Sequence, residues 1–388
     1  MSKLEKLIQQ YCPDGVEYYH LNGVATIKRG ERVTKAQLIP NGQYPVISGG
    51  VKPLGYLNRY NRKANTITIA QYGTAGYVDW QQNQFWANDV CYSVFPSKII
   101  NNRFLYFVLL HNQQLLYSLK TNAIPACLPL DKLAGVEIPV PPLPVQEEIV
   151  RVLDAFTELQ AELQAELQKR KQQYNFYRDN LLSFEGRQDV EWKKLGEIAS
   201  IRTGRRFVRT DIRESGVPCF HYGDIYTYYG LTAIQTRGYL DAELASKLRF
   251  AQPNDVVVVC AGENDMDLGV GVAWLGKEPA VVHDACCILH HAQNPRYISH
   301  FLRTHKYHLQ MKKYVKNGKI SSLPSSGLAE ALIPIPSLEE QQRIADILDR
   351  FDTLTNDLTQ GLPAEIEKRR LQYEFYRDKL LTFKRKEA

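Results

Sequence analysis

The chain has few of the features that mark several large protein classes. No apolar run approaches the ~20 residues needed to cross a bilayer, so a membrane-spanning helix is not expected. The opening Met1-Ser2-Lys3-Leu4-Glu5-Lys6 lacks the apolar core of an export signal. Cysteine is sparse and odd in number, at Cys12, Cys91, Cys127, Cys219, Cys260, Cys286 and Cys287, and no C-x-x-C occurs. That pattern argues against a disulfide scaffold and a zinc ribbon, and for free thiols in a reducing cytoplasm. Neither sign of charge dominates: 48 Lys and Arg stand against 42 Asp and Glu, net +6. The positive charge is unevenly placed, however. Residues 1–145 hold 14 Lys and Arg against 8 Asp and Glu, and 185–332 hold 19 against 16. The segments 146–184 and 333–388 are slightly acidic, at 5 against 7 and 10 against 11. A polyanion facing the two basic blocks accounts for this distribution.

The chain is written twice. Val16-Glu17-Tyr18, Leu21 and Ala25-Thr26-Ile27-Lys28 with Gly30 return 174 residues later as Val190-Glu191-Trp192, Leu195 and Ala199-Ser200-Ile201-Arg202 with Gly204. Ile138-Pro139-Val140-Pro141, Leu143, Gln146, Ile149 and Leu153-Asp154 with Phe156 return after 195 as Ile333-Pro334-Ile335-Pro336, Leu338, Gln341, Ile344 and Leu348-Asp349 with Phe351. Tyr174-Asn175-Phe176-Tyr177-Arg178-Asp179 returns after 199 as Tyr373-Glu374-Phe375-Tyr376-Arg377-Asp378. Each half is a variable block followed by a helical segment. Within the blocks, the β-branched runs Thr66–Ala70 and Val256–Cys260 predict buried strands, and helical patterns near 103–118 and 296–315 close each block. Beyond the proline-rich stretches, Gln146 and Glu339 open runs of helix formers. Their apolar stripes fall at Ile149, Leu153, Phe156, Leu163, Leu167, Tyr174, Tyr177 and Leu181, and at Ile344, Leu348, Phe351, Leu358, Ile366, Tyr373, Tyr376 and Leu380. Gly361-Leu362-Pro363 should interrupt the second.

Several stretches approach catalytic motifs without completing them. Gly271 to Lys277 has the spacing of a phosphate loop, but Glu278 and Pro279 follow where Ser or Thr must bind Mg²⁺. Asn294-Pro295-Arg296-Tyr297 resembles the tetrapeptide of amino-methyltransferases with the wrong third residue, and Gly269-Val270-Gly271 lies too close upstream to serve as its cofactor loop. His290-His291 and His283-Asp284 lack metal-ligand spacing.

The repeated I-P-x-P-x-L-x-x-Q-x-x-I-x-x-x-L-D, with Y-x-F-Y-R-D-x-L-L at each helix end, resembles the specificity subunits of type I restriction–modification systems. The resemblance covers nearly the whole chain. The four-residue run Glu158-Leu159-Gln160-Ala161-Glu162-Leu163-Gln164-Ala165-Glu166-Leu167-Gln168 also resembles the spacer repeat of one class of these subunits. The implied fold is α+β: two mixed α/β target recognition domains, residues 1–145 and 185–332, separated by a pair of long antiparallel coiled-coil helices, 146–184 and 333–388, in a pseudo-two-fold tandem repeat. The implied chain has no active site and binds no cofactor. It reads a split target in double-stranded DNA and docks two modification subunits, which bring S-adenosylmethionine and methylate adenine. Restriction subunits bring ATP and Mg²⁺. The competing enzyme reading is a solitary DNA methyltransferase or nuclease with tandem halves; a purely structural coiled-coil adaptor is a third. Salt-dependent duplex binding separates the last from the first.

Arginine and lysine suit phosphate and guanine edges alike. The DNA-contact candidates are therefore Lys28, Arg29, Arg32 and Lys35 in the first half, and Arg202, Thr203, Arg205, Arg206 and Arg209 in the second. A second matched group is Lys120 and Asn122 with Lys316, Asn317 and Lys319. Gln71, Tyr72 and Thr74, and Asn264, follow the central strands, where amide and hydroxyl groups meet base edges. The plain alternatives are solvated basic loops and ordinary turns. The helix ends carry more aromatics than one helix pair needs, which makes Tyr174, Phe176, Tyr177, Arg178, Tyr373, Phe375, Tyr376 and Arg377 candidates for contact with a modification subunit.

Overall fold

The structure, a computed structural model, describes residues 3–264, 267–318, 320–357 and 359–387. Lys319 and Leu358 therefore lie outside the described residues. The chain divides into two compact units, Met1–Ala161 with Lys368–Ala388, and Glu162–Glu367. Among the described residues no helix is long and apolar enough to cross a membrane.

In the first unit the strand Thr66–Ala70 is buried at all five positions. It lies in a four-stranded sheet in the order Ala25–Arg29, Cys91–Pro96, Thr66–Ala70, Val78–Gln81. A strand covered on both faces needs apolar or β-branched residues in succession rather than alternation, which its sequence supplies. A smaller sheet of Tyr56–Leu57, Tyr44–Ile47 and Trp86–Ala87 leans on the first. The second unit repeats the order around Val256–Val259, buried throughout: Ala199–Thr203, Cys286–His291, Val256–Val259, Gly271–Trp274, and one more strand, Thr232–Ala233. Each block is closed by pairing its first strand with its last, Tyr18–His20 with Glu137–Pro139 and Glu191–Lys194 with Leu332–Ile335.

The expected helical stretches before the proline-rich turns are each two short helices, Asn102–His111 with Gln113–Ser118, and Pro295–Phe301 with His305–Met311. The long helices begin earlier than Gln146 and Glu339, at Leu143 and Leu338. Pro144, read from sequence as outside the helix, is its second residue. In the first turn the amide that proline lacks has no intrahelical partner to lose. The helix Leu143–Leu181 is continuous through the spacer run, whereas the second is broken between Asn356 and Leu362, at the predicted Gly-Leu-Pro.

The repeated glutamine has a tertiary explanation. Gln146 and Gln341 are fully buried. Gln146 accepts from the Asn101 amide (2.7 Å) and donates to the carbonyls of Pro141 (2.6 Å) and Ile99 (3.1 Å). Gln341 accepts from the Asn294 amide (3.0 Å) and donates to Pro336 O (2.9 Å) and Gln293 Oε1 (2.8 Å). An unbonded buried amide costs ~1–3 kcal/mol; both glutamines avoid it by tying the proline-rich turn to a helix cap. The motif's aspartates are likewise held, Asp154 by Arg103 (2.8 Å) and Asp349 by Arg296 and His300.

Within each unit a helix start from one half packs on a helix end from the other. In the first unit Phe156 stacks on Tyr376 (5.5 Å between ring centroids) and meets Tyr373 (6.4 Å). In the second, Phe351 stacks on Tyr177 (5.4 Å).

Candidate nucleic-acid interface

The two basic loops have the same construction. Each leaves the end of the first sheet strand, at Arg29 and at Thr203, and passes through a glycine. Gly30 and Gly204 donate to Cys91 O (3.0 Å) and Cys286 O (2.9 Å), and the next residues, Glu31 and Arg205, to Ala87 O (2.8 Å) and Val282 O (3.0 Å). A Cβ at Gly30 would collide with the Ala87 carbonyl, and one at Gly204 with those of Val282 and His283. Two or three residues further on, Val33 and Phe207 are buried. A short turn follows, Lys35–Gln37 in one loop and Arg209–Asp211 in the other. It is capped by Gln37 on the Thr34 amide (2.9 Å) and by Asp211 on the Val208 amide (2.8 Å). With glycine and an apolar side chain pinned inward, Arg32, Lys35, Arg205, Arg206 and Arg209 are left exposed, as are Lys28, Arg29 and Arg202 on the preceding strands. None of these forms an ion pair with a carboxylate among the described residues. Arginines on the long helices, such as Arg170, Arg343 and Arg370, do.

The other expected contacts gather near the loops unequally. In the second unit a pocket of about 370 Å³ is lined by Arg206, Arg209, Gly262, Glu263, Asp284 and Ile320, so the basic loop meets the turn after the central strand. Its wall holds Phe207, His221, Tyr222 and His283, ring against ring at 4.6–6.2 Å. Burial pushes both imidazoles below their ordinary range, so at neutral pH the pocket's positive charge comes from its arginines. Lys316 pairs through its backbone with Ser322, beside the Ala261–Gly262 strand and with Asn317 next to it; Lys316, Asn317 and Asn264 are all exposed. In the first unit Tyr72 pairs with Cys127, which brings Lys120 and Asn122 to the turn holding Thr74. Thr74 donates its hydroxyl to Gly49 O (2.8 Å). Lys120 lies 5.4 Å from the ring of Tyr117, Tyr72 is half-buried, and Thr203 lies beneath its loop against Cys287.

Two expected contacts are placed elsewhere. Gln71, read as a base-edge amide, is 4% exposed: it directly follows the fully buried central strand, and its backbone bonds Val90 O (2.9 Å) and the Leu128 amide (2.9 Å). Tyr174, read as part of a docking surface, is 5% exposed: its hydroxyl meets His300 Nδ1 (3.2 Å) in the second unit's core. Burial pushes that phenol well above its ordinary range. Tyr373 is half-buried against Phe156, Arg178 pairs with Asp179 and Arg377 with Asp378. Tyr177 and Tyr376 are stacked as described above. Phe176 and Phe375 remain open, at 65% and 63% exposed.

Sequence reasoning passed over Asn88, whose side chain accepts from the Val33 amide (2.9 Å) and donates to Ser48 (3.2 Å), so fixing the first basic loop from below. It also passed over Arg62 and Arg249, which bond the carbonyls just before Gly30 and Gly204. All come from segments distant in the chain, with no local motif to mark them. The near-catalytic stretches have structural roles. Gly271–Trp274 is a strand rather than a phosphate loop, and Gly276 lies under the Trp274 ring. Asn294 caps the helix Pro295–Phe301.

The profile of the family described as the type I restriction modification DNA specificity domain matches residues 13–170 and 187–368. The chain is 34% identical over 422 residues to the specificity subunit of the Escherichia coli type I restriction enzyme EcoR124I/EcoR124II, covering 100% of this chain and 98% of that one. It is 31% identical over 411 residues to a putative type I restriction enzyme specificity subunit of Haemophilus influenzae, covering 98% of each. The fold is similar to the crystal structure of the type I restriction–modification S subunit from M. genitalium, with a TM-score of 0.60 at 18% identity over 95% of this chain and 96% of that one. A structure reported for type I complex assembly and conformational transition gives 0.61 at 15% identity over 95% and 98%. With two family domains in tandem and near full-length likeness to its relatives, this chain belongs to the specificity subunits of type I restriction–modification systems, the non-catalytic components that recognise DNA sequence.

Proposed function

We propose that each block reads one half of a bipartite target, 1–145 through Lys28, Arg29, Arg32 and Lys35 and 185–332 through Arg202, Arg205, Arg206 and Arg209. The helical segments 146–184 and 333–388 set the gap and dock two modification subunits. In this reading S-adenosylmethionine resides on the modification subunits, ATP and Mg²⁺ on the restriction subunits, and the assembly works in the cytoplasm. The observation that carries it is the duplicated loop: two blocks of dissimilar sequence hold arginine or lysine outward, without carboxylate partners among the described residues, by the same glycine and the same backbone bonds.

The test is binding to duplex DNA across a salt series. The full chain with its modification subunit should bind with a steep negative salt slope. Arg32→Ala should weaken reading of one half-site and Arg206→Ala the other. Where the contact is phosphate the slope falls by about one unit; where it is guanine the loss is sequence-selective, at ~1–3 kcal/mol. Unchanged binding in both variants removes these loops from the interface.

Phe176 and Phe375 serve the docking role. Exposed aromatics at equivalent places in two repeats suit two copies of one partner, and such residues often dominate interface energy. Phe176→Ala and Phe375→Ala should each cost ~1–3 kcal/mol of affinity for a modification subunit while the melting temperature of the free chain holds. Equal affinity by calorimetry would end this assignment.

A further inference from the structure

Beside each basic loop stands an arginine that no motif announces. Arg62 Nη2 donates to Arg29 O (2.7 Å) and Arg249 Nη1 to Thr203 O, the last carbonyl before each loop glycine. The two do not share a register. Arg62 pairs with Phe85, while the residue paired with the corresponding Ala280 is Ala251, so Arg249 stands two places earlier, just before the strand Phe250–Ala251. The same carbonyl is reached from different positions in two diverged blocks.

Each arginine also shares a ring or a pocket with a second cation. Lys28 Nζ and the Arg62 guanidinium lie 5.8 and 5.9 Å from the centre of the Phe95 ring. Arg202 and Arg249 line one pocket of about 380 Å³ with His290, the residue 195 places after Phe95. None of the four cations forms a carboxylate ion pair among the described residues. Asp255 lines the second pocket, but its oxygens take the Gln252 amide (2.7 Å) and His290 Nδ1 (2.7 Å). Like charges that share a site favour an added anion, and in the second pocket the oxygens of Asp255 are already engaged by other donors.

Resting on the DNA-reading role above, we propose that Arg62 with Lys28, and Arg249 with Arg202, form paired sites for phosphodiester groups of the DNA backbone. Arg62 holds the carbonyl at the loop's origin through Nη2 while its Nε donates to Ser93 Oγ (2.9 Å) and its Nη1 to Asn61 O (2.9 Å), and Arg249 holds its carbonyl through Nη1. The second N–H on each Nη of Arg62, and the wider remainder of the Arg249 fork, suit phosphate oxygens. A phosphate bound there is fixed at the root of the basic loop, so backbone contact sets the register in which the loop reads.

The experiment uses the full chain assembled with its modification subunit. Affinity for target and unrelated duplexes is measured over a salt series for the wild type, Arg62→Met, Arg249→Met and the two lysine variants, with melting temperatures as the folding control. Each methionine variant should lower the salt slope by about one unit and weaken target and unrelated duplex by the same factor; lysine should keep the slope. On duplexes with neutral methylphosphonates beside one half-site, the wild type should lose that unit of slope and the matching methionine variant should lose nothing more. That arm needs no altered protein to report on the site. An unchanged slope, with or without selective loss at one half-site, overturns the proposal, leaving arginines that only prop the loop. A wild-type assembly whose duplex binding ignores salt overturns this site and the DNA-reading role together.

Discussion

Adding or deleting one four-residue unit in the run Leu159 to Gln168 should preserve both half-sites and change only the unspecified gap between them, by one or two base pairs. The run lies inside the uninterrupted helix Leu143–Leu181. Four residues lengthen a helix by about 6 Å and rotate it only ~40° past a full turn, slightly less than two base-pair steps of ~3.4 Å. The stripe of Leu159, Leu163 and Leu167 is half-buried to buried, and its four-residue spacing keeps it nearly in line after such a change. Two inserted residues instead rotate everything beyond them by ~200°, turning Leu167 outward on one side of the insertion; assembly should fail. Sequencing the methylated sites of each variant checks both. A one-unit variant that altered half-site bases and left the gap alone would falsify the ruler.

Gly204→Ala should abolish reading of the second half-site, and Gly30→Ala the first, with the other half-site intact each time. Neither glycine is needed for a positive φ. Each is needed because its α-carbon rests on a backbone carbonyl, Ala87 at Gly30 and Val282 and His283 at Gly204. Backbone cannot rotate away as a side chain can, so the loop itself must move. Overpacking of this kind costs ~1–3 kcal/mol of stability. The effect on recognition is larger: on the proposed reading, displacing a loop that makes two base contacts at ~1–3 kcal/mol each would cost roughly 2–6 kcal/mol of specific affinity. Footprinting each half-site separately reads the outcome. Retained protection of the second half-site by a folded Gly204→Ala variant would show that the loop does not read DNA.

The amino-acid sequence alone determined the tandem repeat, the two long helical segments, the break at Gly361-Leu362-Pro363 and the buried central strands. Each is a local periodicity or a duplicated string, written in consecutive residues. The family likeness was legible for the same reason: the glutamine of each proline-rich motif recurs because each must bond a buried turn. The sequence also marked both basic loops, since arginines cluster beside a glycine. Only the tertiary structure decided which marked residues face outward. Gln71 and Thr74 both follow one strand, yet Gln71 is buried and Thr74 exposed; Tyr174 and Phe176 share a helix end, yet one is core and the other open. Arg62, Arg249 and Asn88 could not be found by pattern. Their partners lie 33, 46 and 55 residues away, and in the two arginines the same carbonyl is met from different registers. A hydrogen bond depends on where donor and acceptor arrive in space, and that is settled by the packing of whole sheets rather than by any string of neighbours.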